Sequence, residues 1–188
     1  MHHRFPMTQL QALGELLQAD GKSARVLVVG GAALLLRGWV SRTTHDVDVL
    51  AVVDESLRRA RTSDLSDLEP YTRRVADDFE LQADWFNSAV ALQWQTGLPP
   101  RLRDDVAWRS FAALHVGIAG RSTMIALKLC ATADHSPRSV HCQDLLALAP
   151  TDVELREART WALTQDHSEA WPQLLDEVIH HVQTRRSS

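Results

Sequence analysis

The stretch VLVVGGAALLLRGWVSRTTHDVDVLAVV, residues 26–53, organises this sequence. It opens with a short apolar run, rich in β-branched residues, that predicts a buried strand. Gly30 and Gly31 follow, and the apolar residues after them predict a helix. A second predicted strand begins at Asp46 and carries Asp48 two positions later. Because strand side chains alternate between two faces, both carboxylates are expected on one face.

Two carboxylates beside a glycine turn suit a divalent metal and a polyphosphate. Mg²⁺ prefers hard oxygen ligands and is usually held by one or two carboxylates together with substrate phosphates. The glycines allow a ligand to approach the backbone closely, and the N–H groups at a helix start attract an anion. The glycines alone also fit a simple tight turn between a strand and a helix. The complete pattern favours the metal and phosphate interpretation, because a buried strand seldom carries two unpaired acids.

The pair Gly30-Gly31, followed by RTTxDxD at residues 42–48, resembles the signature of the nucleotidyltransferase superfamily, which has the polymerase-beta-like fold. More narrowly, it resembles the AbiEii/MenT-type nucleotidyltransferases of bacterial toxin–antitoxin systems. A second patch resembles the same group: ALKL at residues 126–129, with Arg138 and with DLLAL at residues 144–148. The resemblance implies an α+β fold, in which a nucleotidyltransferase-like mixed sheet is flanked by helices and followed by a helical C-terminal lobe.

The resemblance also implies roles for individual residues. Asp46 and Asp48 are the implied metal ligands and the first two catalytic residues. Lys128 and Asp144 are the other two: Lys128 donates to a phosphate oxygen as a compact cation, and Asp144 activates the acceptor hydroxyl or orients Lys128. For Asp144, the alternative of an aspartate on a helix surface stays open. The implied nucleotide-binding residues are Gly30, Gly31, Arg42 and Thr44.

These features predict an enzyme that uses Mg²⁺ to transfer NMP from an NTP to an acceptor hydroxyl. For the toxin branch, the resemblance implies the 3′ end of tRNA as acceptor and a cognate antitoxin as protein partner. The arginines near the predicted site favour RNA, provided that they converge into a cationic rim: Arg37, Arg42, Arg101, Arg103, Arg121 and Arg138. One alternative is the same chemistry on a small hydroxylated molecule such as an aminoglycoside. Another is a nucleotide-binding or protein-binding module of the same fold without turnover, which the intact acid pair disfavours.

Composition narrows the class of protein. A chain of 188 residues with 45% hydrophobic and 23% charged residues is ordinary for a globular protein. The net charge of −4 argues against a strongly basic nucleic-acid binder, although local patches matter more than the sum. No apolar run approaches the roughly 20 residues of a membrane helix, and the N-terminus lacks a signal-peptide pattern. A cytoplasmic protein without a membrane partner is therefore expected, with its two cysteines as reduced thiols.

The order of predicted elements indicates the domain organisation. Strands mixed with helices come first, and helices alone follow. This order predicts a nucleotidyltransferase-like core at residues 1–120 and a helical C-terminal lobe, packed on the core, at residues 121–188. Within the core, leucines at helical spacing predict a first helix at residues 7–19, and residues 106–118 have the pattern of a strand.

Overall fold

The computed structural model describes residues 5–54, 60–61, 64–91, 97–99, 101–136 and 138–186, with the backbone alone described at residues 60–61. The chain forms two compact units. The first comprises Met1–Gln95 with Val106–Ala119, and the second comprises Thr96–Asp105 with Gly120–Ser188. The division predicted above, at residues 1–120 and 121–188, stays a prediction.

A mixed sheet lies in the first unit. Its strands are β1 (Ala24–Val29), β2 (Val47–Val53), β3 (Ala60–Arg61), β4 (Phe86–Asn87), β5 (Ala107–Phe111) and β6 (Leu114–Ile118). Five strands follow the order β3-β2-β1-β6-β5, and β4 also pairs with β2. The β1–β6 and β2–β4 pairs are parallel, and the other three pairs are antiparallel.

The described residues of the first unit also form helices α1 (Met7–Ala19), α2 (Gly30–Leu36) and α3 (Glu69–Phe79) and a short 3₁₀ turn, Ala89–Ala91. The leucines of α1 at positions 10, 13 and 17 are buried, as expected for apolar residues spaced three and four apart. α1 contacts α3, β5 and β6, whereas α2 contacts β1 and β2. The predicted mixed sheet with flanking helices is therefore confirmed.

The inner strands β1 and β2 form the core of this unit. Residues 26–29 and 49–51 are buried without a break, since α2 packs on both strands and each strand has a neighbour along both edges. Such strands carry continuous apolar runs instead of an alternating pattern. Asp48 is partly exposed and therefore stands out against the buried residues of β2.

The second unit is helical. Its helices are α4 (Arg121–His135), α5 (Val140–Leu148), α6 (Asp152–Ala162) and α7 (Trp171–Arg186). α4 contacts the other three, and its residues from 123 to 130 are all buried, as expected for a helix with neighbours on every side. At the start of α6, Thr151 and Glu154 form a reciprocal capping box. The region predicted as purely helical is therefore helical in its described residues.

Two details differ from the sequence-based expectations. Residues 106–118 form the antiparallel pair β5 and β6 instead of one strand, and Ala112, at φ 48°, lies in the turn between them. β2 begins at Val47, one residue after the predicted start, because its pairing with β4 begins there. Asp46 belongs to the preceding loop, where Thr44 rather than a neighbouring strand supplies its hydrogen bond.

Cys130 and Cys142 are buried free thiols. Burial raises the pKa of the Cys130 thiol to about 12 and also raises the pKa of Cys142. Within the described ranges, no helix has both the length and the apolar character that crossing a membrane requires.

Candidate active site

The end of β1 and the start of β2 bring a glycine and a carboxylate together. Val29, the last residue of β1, pairs with Asp48, and the next residue, Gly30, has a φ of 69°. A Cβ atom on Gly30 would lie 1.9 Å from Asp48 Oδ2. Glycine is required here, since an L side chain would strain the backbone and collide with the carboxylate. Asp48 therefore lies directly against the turn that begins α2.

Thr44 holds the second carboxylate next to the same turn. Its side chain is buried, and Oγ1 donates a hydrogen bond of 3.0 Å to Asp46 Oδ1. The same Oγ1 lies 2.7 Å from the place that a Cβ atom on Gly31 would occupy. Asp46 is thereby linked through Thr44 to Gly31, while Asp48 lies against Gly30.

Arg42 adds a positive charge at this turn. Its Nη2 is 3.1 Å from the Cβ position of Gly31, and its Nη1 donates a hydrogen bond of 3.0 Å to the Thr43 carbonyl. A guanidinium donates in pairs to anionic oxygens, so its place beside a bare backbone suits an anion. The structure thus brings together the predicted residues of the first unit: Gly30, Gly31, Arg42, Thr44, Asp46 and Asp48.

Exposure alternates at the start of β2. Val47 and Val49 are fully buried, whereas Asp46 and Asp48 are partly exposed. This alternation is the one expected when successive side chains point to opposite sides of a sheet. Among the residues that the structure describes, no three or more His, Cys, Asp or Glu side chains are grouped to hold a metal ion by themselves. The two acids are therefore not part of a complete protein cage for a metal.

The remaining predicted residues form a second cluster, in the helical unit. Lys128 of α4 and Asp144 of α5 are 2.8 Å apart between Nζ and Oδ2, and their side chains are only 6% and 1% exposed. The His141 Nδ1 atom lies 3.5 Å from the same Nζ. An isolated buried ammonium would be costly, and the carboxylate supplies its partner. The alternative of a surface aspartate at Asp144 is therefore wrong, and Lys128 is buried with it.

Three of the six arginines expected at a cationic rim have partners within their own unit. Arg37 donates to the carbonyls of Ile118 and Ala119 at the end of β6. Arg121 binds both carboxylate oxygens of Glu154 and thereby holds the pKa of Glu154 below its usual range. The third, Arg101, lies 3.8 Å from Glu157. Arg37 and Arg121 thus bind protein oxygens and Arg101 lies near an acid, so the number of arginines near the predicted motifs is weak evidence for an RNA surface.

The sequence-based predictions did not include a cavity that lies beside Thr44. It has a volume of about 530 Å³ and is lined in part by Gln9, His45 and Asp78. Gln9 is only 2% exposed. The available signal was its position in α1, four residues before Leu13 on the helix face that the leucines bury, where a polar side chain is unusual.

A glycine turn against one acid, with a second acid tied to it by a threonine, is the arrangement expected of a nucleotidyltransferase-like protein. Comparison with known proteins supports this class. The model of the family "Nucleotidyltransferase of unknown function (DUF6036)" matches residues 7–92, which is less than half of the chain. This match covers the glycine turn and both acids. No curated protein matches the chain.

The fold is also similar to a solved structure. The crystal structure of an antigenic nucleotidyltransferase-like protein from Paracoccidioides brasiliensis matches with a TM-score of 0.50 and 14% sequence identity. The match covers 96% of this chain and 88% of that chain. At such low identity the match establishes the fold alone. The predicted nucleotidyltransferase-like fold is therefore confirmed, while the narrower resemblance to AbiEii/MenT-type toxins stays a prediction.

Proposed function

We propose that this protein is a Mg²⁺-dependent nucleotidyltransferase that transfers NMP from an NTP to an acceptor hydroxyl. The observation that carries this proposal is the contact of Asp48 with the Gly30 backbone, with Asp46 tied to the same turn through Thr44. Nucleotidyl transfer needs no covalent intermediate with the protein. It needs phosphates held in place and their developing charge offset, so a bare backbone beside two acids suits it.

The residues present fit a magnesium ion. Asp46 and Asp48 supply two carboxylates, and Mg²⁺ commonly binds one or two of these together with substrate phosphates and water. At Gly30 and Gly31 the Asp48 and Thr44 oxygens lie where a Cβ atom would be, so the absence of side chains lets both groups pack directly against the turn. When bound there, Mg²⁺ would neutralise phosphate charge and orient the phosphates for in-line attack.

The protein's own groups would position the nucleotide. Gly30 and Gly31 allow phosphate oxygens to approach backbone N–H groups, and Arg42 would donate to the same oxygens. Thr44 holds Asp46 in a fixed orientation through its hydrogen bond of 3.0 Å. In the helical unit, Asp144 orients the Lys128 ammonium, for which we propose the role of a cation for a phosphate oxygen.

For the acceptor, we propose the 3′ end of tRNA, in a cytoplasmic toxin with a cognate antitoxin as partner. The sequence resemblance to AbiEii/MenT-type enzymes supports this choice. A specific observation favours a second candidate, a cationic hydroxylated small molecule such as an aminoglycoside. Asp78 and Glu80 line the cavity beside Thr44, and acids attract a polycation while they repel RNA phosphates.

Labelling distinguishes these acceptors. The protein is incubated with each α-labelled NTP and Mg²⁺, together with total RNA in one series and aminoglycosides in another. We expect one NTP to label tRNA at its 3′ end, with no transfer after EDTA treatment and weaker transfer as salt rises, since phosphate contacts release counterions. Label on an aminoglycoside and on no RNA would establish the second candidate. Binding of an NTP without transfer to any acceptor would instead indicate a non-catalytic module.

A further inference from the structure

The cavity beside Thr44 has a feature that phosphate binding does not explain. Gln9 lines it and is 2% exposed, yet its Oε1 is buried and has no hydrogen-bond partner in the part of the chain that the structure describes. An unsatisfied buried acceptor costs free energy, and native proteins rarely keep one without a reason. Gln9 itself lines the cavity, so rotation of its amide would present Oε1 to a ligand that brings an N–H donor, and the hydrogen bond would satisfy this atom.

Aromatic side chains shape the same cavity. Phe5 and Phe79 line it, and both are partly exposed. The Phe5 ring is braced by an edge contact with the buried Trp85, at 6.3 Å between ring centroids. Faces of phenylalanine rings bind planar heterocycles, and every nucleobase has such a face. The apolar rings and the single buried acceptor together fit a flat ring that carries an N–H donor at its edge.

Charge excludes the phosphates from this cavity. Asp78 and Glu80 are exposed and line it, so a polyphosphate would meet like charge there. Thr44 lines the cavity and also donates to Asp46. The cavity therefore adjoins the acid pair through one residue, and it suits the uncharged part of a nucleotide whose phosphates lie at the glycine turn.

We propose that this cavity is a nucleobase subsite, in which Gln9 Oε1 accepts a hydrogen bond from the exocyclic amino group of an adenine, cytosine or guanine base. The proposal rests on the proposed function. The base belongs either to the donor NTP or to the terminal nucleotide of the acceptor, and both present the same chemistry.

The recognition step is tested with nucleosides, because they lack phosphates. Binding of adenosine, cytidine and guanosine to the full chain is compared, by calorimetry or NMR titration, with binding of their N,N-dimethylated forms. We expect at least one amino nucleoside to bind about tenfold more tightly than its dimethylated form, since dimethylation removes the donor and leaves Oε1 unsatisfied. Equal affinities for all three pairs, or no binding of any nucleoside, would overturn the proposal.

Gln9→Leu should abolish that preference, and Gln11→Leu should leave it intact. Gln11 is the matched control because it lies on the same helix, is exposed and bonds Glu15 instead of lining the cavity. Gln9→Leu removes an unsatisfied acceptor, so its melting temperature should not fall below that of the unaltered protein. A preference that survives in a folded Gln9→Leu variant contradicts the proposal. If this variant does not fold, the nucleoside pairs on the unaltered protein still decide the question.

The source of the base is identified with the favoured NTP and with short oligoribonucleotides that end in the favoured base. If Gln9→Leu weakens NTP binding about tenfold, the donor base occupies the cavity; if it weakens oligonucleotide binding instead, the acceptor base does. If the protein prefers amino nucleosides but transfers NMP to no acceptor, the proposed function is refuted and the nucleobase subsite is retained. Normal transfer without any nucleoside preference would refute the subsite alone.

Discussion

The acids of the two units are held in opposite ways. Asp46 and Asp48 lie partly exposed beside the glycine turn, where Thr44 donates to Asp46 and Asp48 lies against Gly30. Asp144 is 1% exposed and lies 2.8 Å from a lysine ammonium. The first arrangement keeps both carboxylates partly exposed. The second neutralises a charge that the interior would otherwise penalise.

The comparison predicts that replacing an acid affects a different property of the protein in each unit. Loss of a buried partner should first reduce stability, whereas loss of a surface acid should first reduce activity. The substitutions below test this difference, and each single-site control lies within the same unit as the residue it matches.

The largest effect is expected for Asp144→Ala. It leaves the Lys128 ammonium buried without its carboxylate, so the free energy of unfolding should fall by about 3–5 kcal/mol. The combined change Lys128→Met with Asp144→Leu removes both charges and should recover most of that loss. Chemical denaturation of both variants measures this. A double variant no more stable than Asp144→Ala would show that the ion pair is not the source of the loss.

The double variant also separates structure from chemistry. If Lys128 and Asp144 serve only the packing of the helices, a folded Lys128→Met, Asp144→Leu protein should retain nucleotide transfer. If Lys128 donates to a phosphate, the folded protein should lose transfer while its unfolding transition stays cooperative. Activity and denaturation measured on one preparation therefore decide between the two roles.

Asp48→Asn should show the reverse behaviour. The amide has nearly the same shape but is a poor ligand for Mg²⁺, so transfer should fall by about 10²–10³-fold, while the melting temperature changes little. The matched control is Asp67→Asn, since Asp67 is an exposed acid of the same unit outside the glycine turn. Unchanged transfer by Asp48→Asn, or an equal loss in Asp67→Asn, would refute the role of Asp48.

These two clusters also differ in how far the sequence predicts them. The shared face of Asp46 and Asp48 follows from a local rule, because alternation along a strand acts within a few residues. The contact of Asp48 with Gly30 depends in addition on the pairing of β1 with β2. The pairing of Lys128 with Asp144 joins two helices, and only the resemblance to known enzymes suggested it. Gln9 was assigned no role, since its burial depends on the tertiary packing of α1 and not on its neighbours in sequence.

The arginines show a second limit of sequence reasoning. Charge near a motif suggested a cationic rim, but Arg37 and Arg121 bind protein oxygens instead. The position of an arginine in the sequence does not reveal whether its guanidinium binds an acid or a carbonyl of the protein instead of a ligand. The fold class was predictable because it depends on the order of strands and helices, which survives errors of one or two residues at their ends.

Gly30→Ala tests the close contact at the glycine turn itself. The new methyl group would meet Asp48 Oδ2 at 1.9 Å at a positive φ, so stability should fall by about 1–3 kcal/mol and transfer should fall with it. Gly38→Ala is the matched control, because Gly38 has a φ of 72° but nothing within 4 Å of its Cβ position. It should suffer the backbone strain alone and retain activity. Equal activity in both variants would indicate that the Asp48 position does not matter.

The smallest effect concerns the ion pair of Glu154 with Arg121, which is less buried than Lys128 with Asp144. The hydrogen bond from Arg121 lowers the pKa of Glu154, so this acid binds protons less readily in the folded state than in the unfolded one. Its stabilising contribution is therefore fully present above the ordinary glutamate pKa and is lost as the pH falls through the lower, folded-state value.

Glu154→Gln retains the capping oxygen but removes the charge. We expect it to be about 1 kcal/mol less stable than the unaltered protein at pH 7, with the difference shrinking below about pH 4. Glu157→Gln, whose arginine lies 3.8 Å away with both side chains largely exposed, should change stability little at any pH. If the difference in stability between Glu154→Gln and the unaltered protein stays constant from pH 7 to pH 3, the charge of Glu154 contributes nothing to stability. In that case burial does not decide how much an ion pair of this unit contributes.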